Sequence, residues 1–207
     1  LTVTSPAVVT VFSFIFGVAS GAVILALSLV TRISSATMIL SGIALGAMFT
    51  GGTAIIQYFA DDIKVASIVY WTFGDLGRTG WTQIGALAAA LLTAFVYFYR
   101  NAWNYNALAN GVYTAKSLGI PVGVVLVVGM LVSCLLSSLA VAFVGTIGFV
   151  GLIAPHLARR FTGSNHRYLL ISSVFCGAVL LIGAEVFSRF IVPVSYTHLT
   201  LPTSDLV

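Results

Sequence analysis

The sequence predicts an all-α membrane protein, built as a polytopic bundle of transmembrane helices. Hydrophobic residues make up 59% of the 207 residues and charged residues only 7%, a balance unlike that of soluble domains. About six apolar stretches are separated by polar clusters, and a helix needs roughly 20 apolar residues to cross a bilayer. A soluble fold cannot bury so much apolar surface, so we expect one membrane domain and no soluble domain.

The apolar stretches give the predicted spans, which are residues 8–30, 36–59, 82–99, 122–143, 149–160 and 168–187. If successive spans alternate sides, one face of the membrane receives the cations Arg32, Arg100, Lys116, Arg159, Arg160 and Arg167. The other face receives Lys64, Arg78 and Arg189, together with the acids Asp61, Asp62, Asp75 and Glu185. Because loops rich in Lys and Arg stay in the cytoplasm, the first face is predicted to be cytoplasmic. The net charge of +4 then reflects topology and does not indicate a nucleic-acid partner.

Residues 61–80, on the predicted outer face, are too short and too polar at both ends to form a span. Their apolar positions are compatible with a short helix at the membrane interface, with Tyr70, Trp71 and Trp81 at headgroup level. An ordinary loop with aromatic anchors explains the same composition equally well. The sequence leaves both interpretations open.

Residues 101–121, on the predicted cytoplasmic face, contain two short helix-compatible stretches, residues 106–109 and 113–118. Between them stands Asn110-Gly111, a dipeptide that tolerates the left-handed conformation of a tight turn. Gly119 can end the second stretch as a C-cap, and Pro121 suits the first turn of the next span. We therefore predict a compact helix-turn-helix along the cytoplasmic face, which a bare connection between spans would not need.

The fifth predicted span is unusual in its glycine and proline content. Glycine recurs every third residue at Gly145, Gly148 and Gly151, and Pro155 is expected to interrupt the helix that follows. Small residues permit close helix contacts, and irregular backbone at membrane depth survives only inside protein or beside water. The backbone here is therefore expected to pack tightly.

Ionisable groups near the spans are candidate functional residues. Glu185 and Arg189 lie one helical turn apart and could pair, and spacing alone favours an interfacial ion pair. His156, Arg159 and Arg160 are typical of a polar cap at the inner end of a span, because HLARR lacks the Glu and second His of a zinc-protease helix. No catalytic set, metal site or phosphate loop is recognisable, and the two cysteines, Cys134 and Cys176, fit apolar packing.

One long motif is specific enough to indicate a protein family. Residues 145–167, GTIGFVGLIAPHLARRFTGSNHR, closely resemble the G-x-I-G-F-x-G-L-x-x-P-H-x-x-R-x-x-x-G-x-x-H-R signature of the iron-chelate and cobalamin importer permeases, the FecCD or BtuC-like family. Three further stretches agree in the same order, LSGIALG at 40–46, NALANGVYTAKSLGI at 106–120 and GAEVFSR at 183–189. The resemblance covers residues 1 to about 191.

The resemblance implies a subunit with about three more spans before Leu1 and one after the last complete helix. Two such permeases, identical or closely paralogous, would form the translocation path in a prokaryotic inner membrane. Two cytosolic ATPase subunits would bind the ATP, so that this chain holds no cofactor, and a periplasmic or lipid-anchored binding protein would deliver a siderophore, haem or cobalamin.

Residue roles follow from the same resemblance. The ATPase-coupling residues would be Ala107, Leu108, Asn110, Gly111, Thr114, Ala115, Lys116, Ser117, Leu118 and Gly119. Arg189, with Glu185 beside it, would dock the binding protein through charge. Gly145, Gly148, Phe149, Gly151, Pro155, His156 and Arg159 would be structural members of the motif.

Two positions depart from the family pattern. Val112 stands where the family usually has an acid, which removes any ion pair that this acid would make, and Glu185 replaces the usual Asp with its charge kept. A secondary transporter of another helical fold is the alternative function, but it would show midplane coupling charges in two related halves. An intramembrane enzyme would need a catalytic set that the sequence does not contain.

The last residues are predicted to be foreign to the protein, so that the permease domain comprises residues 1–192 and the tail residues 193–207. After Arg189 the family continues into a final apolar span, whereas PVSYTHLTLPTSDLV is polar and too short to cross a bilayer. Residues 194–203 can be encoded by GTC TCT TAT ACA CAT CTG ACG CTG CCG ACG, which resembles a transposon-end sequencing adapter. A genuine divergent terminus is the alternative.

Overall fold

The structure, a computed structural model, describes residues 6–30 and 35–191, and within them every regular element is helical. In chain order the helices are α1 Pro6–Val30, α2 Ser35–Phe59, α3 Asp62–Thr72, α4 Trp81–Arg100, α5 Ala102–Ala109, α6 Val112–Ser117, α7 Val122–Val144, α8 Val150–Thr162 and α9 His166–Ile191, with a short 3-10 turn at Leu76–Arg78 between α3 and α4. The predicted all-α fold is confirmed. The predicted tail, residues 193–207, lies outside the described residues and stays a prediction.

Five of these helices, α1, α2, α4, α7 and α9, are long and apolar enough to cross a membrane. Their large apolar side chains are widely exposed, for example Phe16 at 60%, Ile43 at 64% and Phe175 at 68%. Such exposure is tolerable where hydrocarbon replaces water as the solvent. Five of the six predicted spans are thus confirmed as helices of membrane-crossing length.

The fifth predicted span, residues 149–160, is wrong as a membrane-crossing helix. Its helix, α8, has 13 residues, and at 1.5 Å per residue it rises only about 20 Å, short of the roughly 30 Å hydrocarbon core. The expectation that Pro155 would interrupt it is also wrong, because Pro155 lies inside α8. The chain accommodates it because only the Gly151 carbonyl loses its helical donor there.

The chain divides into two compact units at Gly148 and Phe149. In the first unit, α1 packs along α7 through small residues. Added side-chain carbons at Gly17 and Gly21 would overlap Ser138 and Cys134, respectively. The spacing of these two glycines is the small-xxx-small pattern that lets membrane helices approach closely, and the predicted packing role of Cys134 is confirmed by its position there.

In the second unit, α8 lies against α9. Ala154 and Ala158 are buried, and a side-chain carbon at Gly177 would stand 3.6 Å from the Ala154 Cβ. The Ser172 hydroxyl donates to Thr162 Oγ1 at 3.1 Å. Small residues therefore bring these two helices together as well.

Candidate functional site

The predicted helix-turn-helix between α4 and α7 is present. α5 ends at Ala109, Asn110 and Gly111 form the turn, and α6 runs over Val112–Ser117. Gly111 has φ +111, a conformation that residues with a Cβ rarely adopt. Two bounds differ from the sequence prediction, since α5 begins at Ala102, earlier than expected, and α6 begins and ends one residue earlier than the predicted 113–118. We call α5, α6 and their turn, residues 102–119, the corner.

The end of α6 is a complete glycine cap. Gly119 has φ +77, its N–H donates to the Lys116 carbonyl at 2.9 Å, and the Ile120 N–H donates to the Ala115 carbonyl at 3.1 Å. These two bonds are those of the Schellman motif, which satisfies the last carbonyls of a helix. The predicted C-cap at Gly119 is confirmed. Pro121 is the N-cap of α7, one position before the predicted first turn.

One face of the corner is buried against the start of α7. Ala107 and Ala115 are 7% and 0% exposed, and they pack in one apolar cluster with Ile120, Val122 and Val125. Both alanines were predicted to contact an ATPase. Because their side chains are enclosed by their own chain, the structure removes them from the surface that a partner can touch.

The open part of the corner mixes apolar groups, neutral polar groups and the exposed cation Lys116. Tyr113 is 90% exposed, Leu118 59% and Val112 45%. The polar groups between them are satisfied locally, since Thr114 Oγ1 donates to the Asn110 carbonyl and Ser117 Oγ to the Thr114 carbonyl. A partner can therefore cover this face without leaving those hydroxyls unpaired, and Tyr113 is the largest side chain that it offers.

Val112 occupies the first position of α6. An acid there would favour α6 by facing the partial positive charge of the helix N-terminus. Valine carries no charge and makes no such interaction, so the corner lacks a charged group at the first position of α6. The departure from the family pattern leaves the first position of α6 uncharged while the helix-turn-helix is kept.

At the other end of α7, two segments of backbone meet through glycines. A side-chain carbon on Gly145 would stand 3.1 Å from the Gly74 Cα and 3.3 Å from the Trp71 carbonyl oxygen. The Asp75 N–H donates to the Val144 carbonyl at 2.8 Å, and Thr146 Oγ1 donates to the Thr72 carbonyl. We call this contact between residues 71–75 and residues 144–146 the clasp.

The clasp joins α3 to the end of α7, and the sequence did not predict it. Residues 62–72 do form a helix, which favours the interfacial-helix interpretation of this segment over the loop. At the start of α3, Lys64 Nζ lies 2.7 Å from Asp61 Oδ2. This exposed pair lowers the pKa of the Asp61 carboxyl through the hydrogen bond and the charge of Lys64.

The tight packing predicted for the glycine-rich motif holds at Gly145 only. Within the residues that the structure describes, side-chain carbons on Gly148 or Gly151 would have no heavy atom within 4 Å. Phe149 is the N-cap of α8 with φ 65, left-handed and 76% exposed. A bulky residue with left-handed backbone angles is strained. The residue before α8 therefore has an energetically unfavourable backbone conformation.

The charged candidates lie on α8 and α9, with His156 in the middle of α8. His156, Arg159 and Arg160 are exposed on α8, and Arg159 and Arg160 occupy its last turn, where cations interact favourably with the helix dipole. Glu185 is half-buried on α9, with Arg189 one turn later on the same helix. The Arg189 side chain lies outside the described part, so a docking role remains a prediction.

Comparison with known proteins now identifies the group to which these features belong. Residues 1–204 match the FecCD transport family. The chain belongs to the FecCD transport family. It is a multi-pass membrane protein of that family, and the resemblance of its glycine-rich motif is confirmed.

Individual relatives agree with this assignment. The chain is 46% identical over 190 residues to a protein of Methanocaldococcus jannaschii described as an ABC transporter permease, a match that covers 92% of this chain and 54% of the relative. It is 31% identical to the hemin transport system permease protein of Yersinia pestis, over 94% of this chain and 58% of the relative. It is 31% identical to the vitamin B12 import system permease protein of Vibrio vulnificus, over 89% and 57%. The chain thus spans a little over half the length of these curated relatives.

A solved structure shares the fold. An inward-facing structure described as a metal-chelate type ABC transporter superposes with a TM-score of 0.77 at 28% identity, covering 86% of this chain and 57% of that one. The helical architecture seen here is therefore that of an ABC transporter permease.

Proposed function

We propose that the chain is part of the membrane-spanning permease subunit of an ATP-driven importer of iron chelates, haem or cobalamin. The observation that carries the proposal is the corner, a folded helical pair whose open face presents Tyr113 and Leu118 between two helices of membrane-crossing length. Membership of the FecCD transport family and the names of its relatives support it.

The chain supplies the path and the coupling, and its partner supplies the ATP chemistry. The sequence has no G-x-x-x-x-G-K-[ST] loop with which to hold a nucleotide. In the proposed cycle, ATP closes two cytosolic ATPase subunits, the corner of each permease follows that movement, and the two permeases tilt so that the path opens to one side at a time. The assembly would contain two permeases, identical or paralogous, two ATPases and an external binding protein.

The membrane sidedness follows from the cations. Five spanning helices alone would leave α9 entering the membrane from the outer side, with Arg159, Arg160 and Arg167 outside, against the positive-inside rule. One further crossing within residues 145–165, which separate α7 from α9, would return the chain to the cytoplasmic side and remove this conflict.

The outer surface would receive the binding protein through Arg189, with Glu185 one turn earlier. Charges at such a surface act mainly on the rate of encounter. Arg189→Glu is therefore expected to slow association with the binding protein and to weaken the salt dependence of that association. Unchanged association at low salt would return Arg189 to the role of an interfacial anchor beside Glu185.

Reconstitution tests the proposed function. The full permease, co-expressed with its ATPase and placed in liposomes, is expected to take up a ferric siderophore, hemin or cobalamin only with ATP, and vanadate should stop the uptake. Uptake driven by a proton or sodium gradient without ATP would instead support a secondary transporter. Failure to co-purify with any ATPase would remove the proposed partner.

A further inference from the structure

Tyr105 of α5 extends from the corner into the membrane helices. Its hydroxyl donates to the Val125 carbonyl of α7 at 3.4 Å. Its ring lies 5.7 Å from that of Phe98 on α4, tilted by 45°. One side chain thus joins the corner to both helices that flank it in the sequence.

The Tyr105 ring needs a glycine on α7. A side-chain carbon on Gly129 would overlap the Tyr105 hydroxyl and would stand 3.3 Å from its Cζ. A glycine inside a helix destabilises it by about 1 kcal/mol relative to alanine. The contact with the Tyr105 ring explains why glycine nevertheless occupies the buried position 129. Gly123, on the same helix, has open space where its side chain would be.

The reach of Tyr105 sets it apart from the other contacts of the corner. The rest of the buried cluster packs on Val122 and Val125, at the beginning of α7. Gly129 lies about 10 Å farther along the axis from Val122 at 1.5 Å per residue. Tyr105 therefore contacts α7 farther along its axis than the short side chains of Ala107 and Ala115 do.

The phenol is held in its neutral form, in which it donates the hydrogen bond. Burial raises the pKa of Tyr105, and its neighbour Tyr97 raises it further. The ring and Gly129 both line an open apolar pocket of about 340 Å³, together with Phe98, Leu126, Met130 and Ser133.

We propose that Tyr105, seated on Gly129, is the positioning residue that carries movement of the corner into α4 and α7. The inference rests on the proposed function, because it assigns a mechanical role to one contact of the same coupling segment. Tyr105 touches neither nucleotide nor cargo. It acts by keeping the corner and the membrane helices in a fixed relation while an ATPase moves the corner.

The test measures cargo transported per ATP hydrolysed, in the full permease assembled with its ATPase in liposomes. Gly129→Ala is expected to lower this ratio about tenfold, within the range usual for coupling between sites, while ATP hydrolysis continues. Gly123→Ala is the matched control and should leave the ratio unchanged. The double variant G129A/Y105F should recover much of the loss, because it removes the hydroxyl that the new methyl group overlaps.

The outcomes separate a coupling role from a structural one. A Gly129→Ala assembly with the ratio of the Gly123→Ala control would overturn the proposal, as would a double variant no better than Gly129→Ala alone. If Gly129→Ala does not assemble, Tyr105→Leu decides, because it removes the ring that rests on Gly129. A normal ratio in Tyr105→Leu would then reject the proposal. Absence of ATP-driven uptake in the unaltered protein would instead reject the proposed function itself.

Discussion

The two ends of α7 are held in different ways. At its start, the corner rests on α7 through side chains, with alanines in the apolar cluster and the Tyr105 ring beside an open cavity. At its other end, the clasp brings backbone against backbone, with Gly145 at the Gly74 Cα and Trp71 carbonyl. Side chains can rotate and a neighbouring cavity gives them room, whereas backbone atoms in contact have no such freedom. We infer that the clasp is the more rigid of the two contacts, and that the corner keeps its fixed relation to α7 only through side chains such as Tyr105.

Gly145→Ala is expected to have the largest effect. Gly145 has φ 83 and ψ −171, a region essentially confined to glycine, and forcing another residue into it costs about 1–3 kcal/mol. The new methyl group would also press on Gly74. Thermal stability of the purified protein in detergent should fall clearly. Gly148→Ala is the matched control because its side chain would meet open space, and an equal loss in both variants would contradict the account of the clasp.

Thr146→Val should have a smaller effect at the same place. It keeps the shape of the side chain and deletes the hydrogen bond to the Thr72 carbonyl, for an expected loss of about 1 kcal/mol. The same stability assay applies. Thr93→Val is a fair comparison, because the Thr93 hydroxyl bonds only to the Ala89 carbonyl of its own helix. If Thr93→Val lost as much stability as Thr146→Val, the hydrogen bond of the clasp would stabilise the protein no more than a hydrogen bond within one helix.

Lys64→Ala should have the smallest effect. The pair with Asp61 is exposed, and exposed ion pairs contribute little. Because the folded-state pKa of Asp61 is depressed, whatever the pair contributes is present above the ordinary carboxyl pKa and is lost as the pH falls through the lower folded value. The stability of the variant at neutral pH should match the unaltered protein, and a large loss would show that α3 depends on charge as well as on the clasp.

Local signals predicted the features that depend on local sequence. Long apolar runs marked the five spanning helices, and Asn110-Gly111 with Gly119 marked the corner and its cap. α8 failed as a span because it has only 13 residues, too few to cross a core of roughly 30 Å as a helix, which its apolar composition does not reveal. The glycine spacing in that motif pointed to close packing, yet only Gly145 has it.

Contacts between distant residues could not be predicted in this way. Gly74 and Gly145 are far apart in sequence, and the residues around each glycine do not indicate which distant residue it contacts. Ala115 and Ser117 lie in the same short helix, and which of them faces a partner depends on how Tyr105 and Ile120 seat the corner on α7. A signal was available for Gly17 and Gly21, whose spacing is a known helix-packing pattern, but it does not identify α7 as the neighbour.

Cysteine cross-linking between the corner and the ATPase tests the central claim most directly. The full assembly would carry Cys134→Ala and Cys176→Ala, with a single cysteine introduced by Tyr113→Cys, and Ala115→Cys would serve as the buried control. We expect Tyr113→Cys to cross-link to the ATPase with a yield that changes with bound nucleotide, and Ala115→Cys to remain unreactive. Labelling of Tyr113→Cys by an impermeant thiol reagent from outside intact cells, without any cross-link to the ATPase, would contradict both the topology and the coupling role.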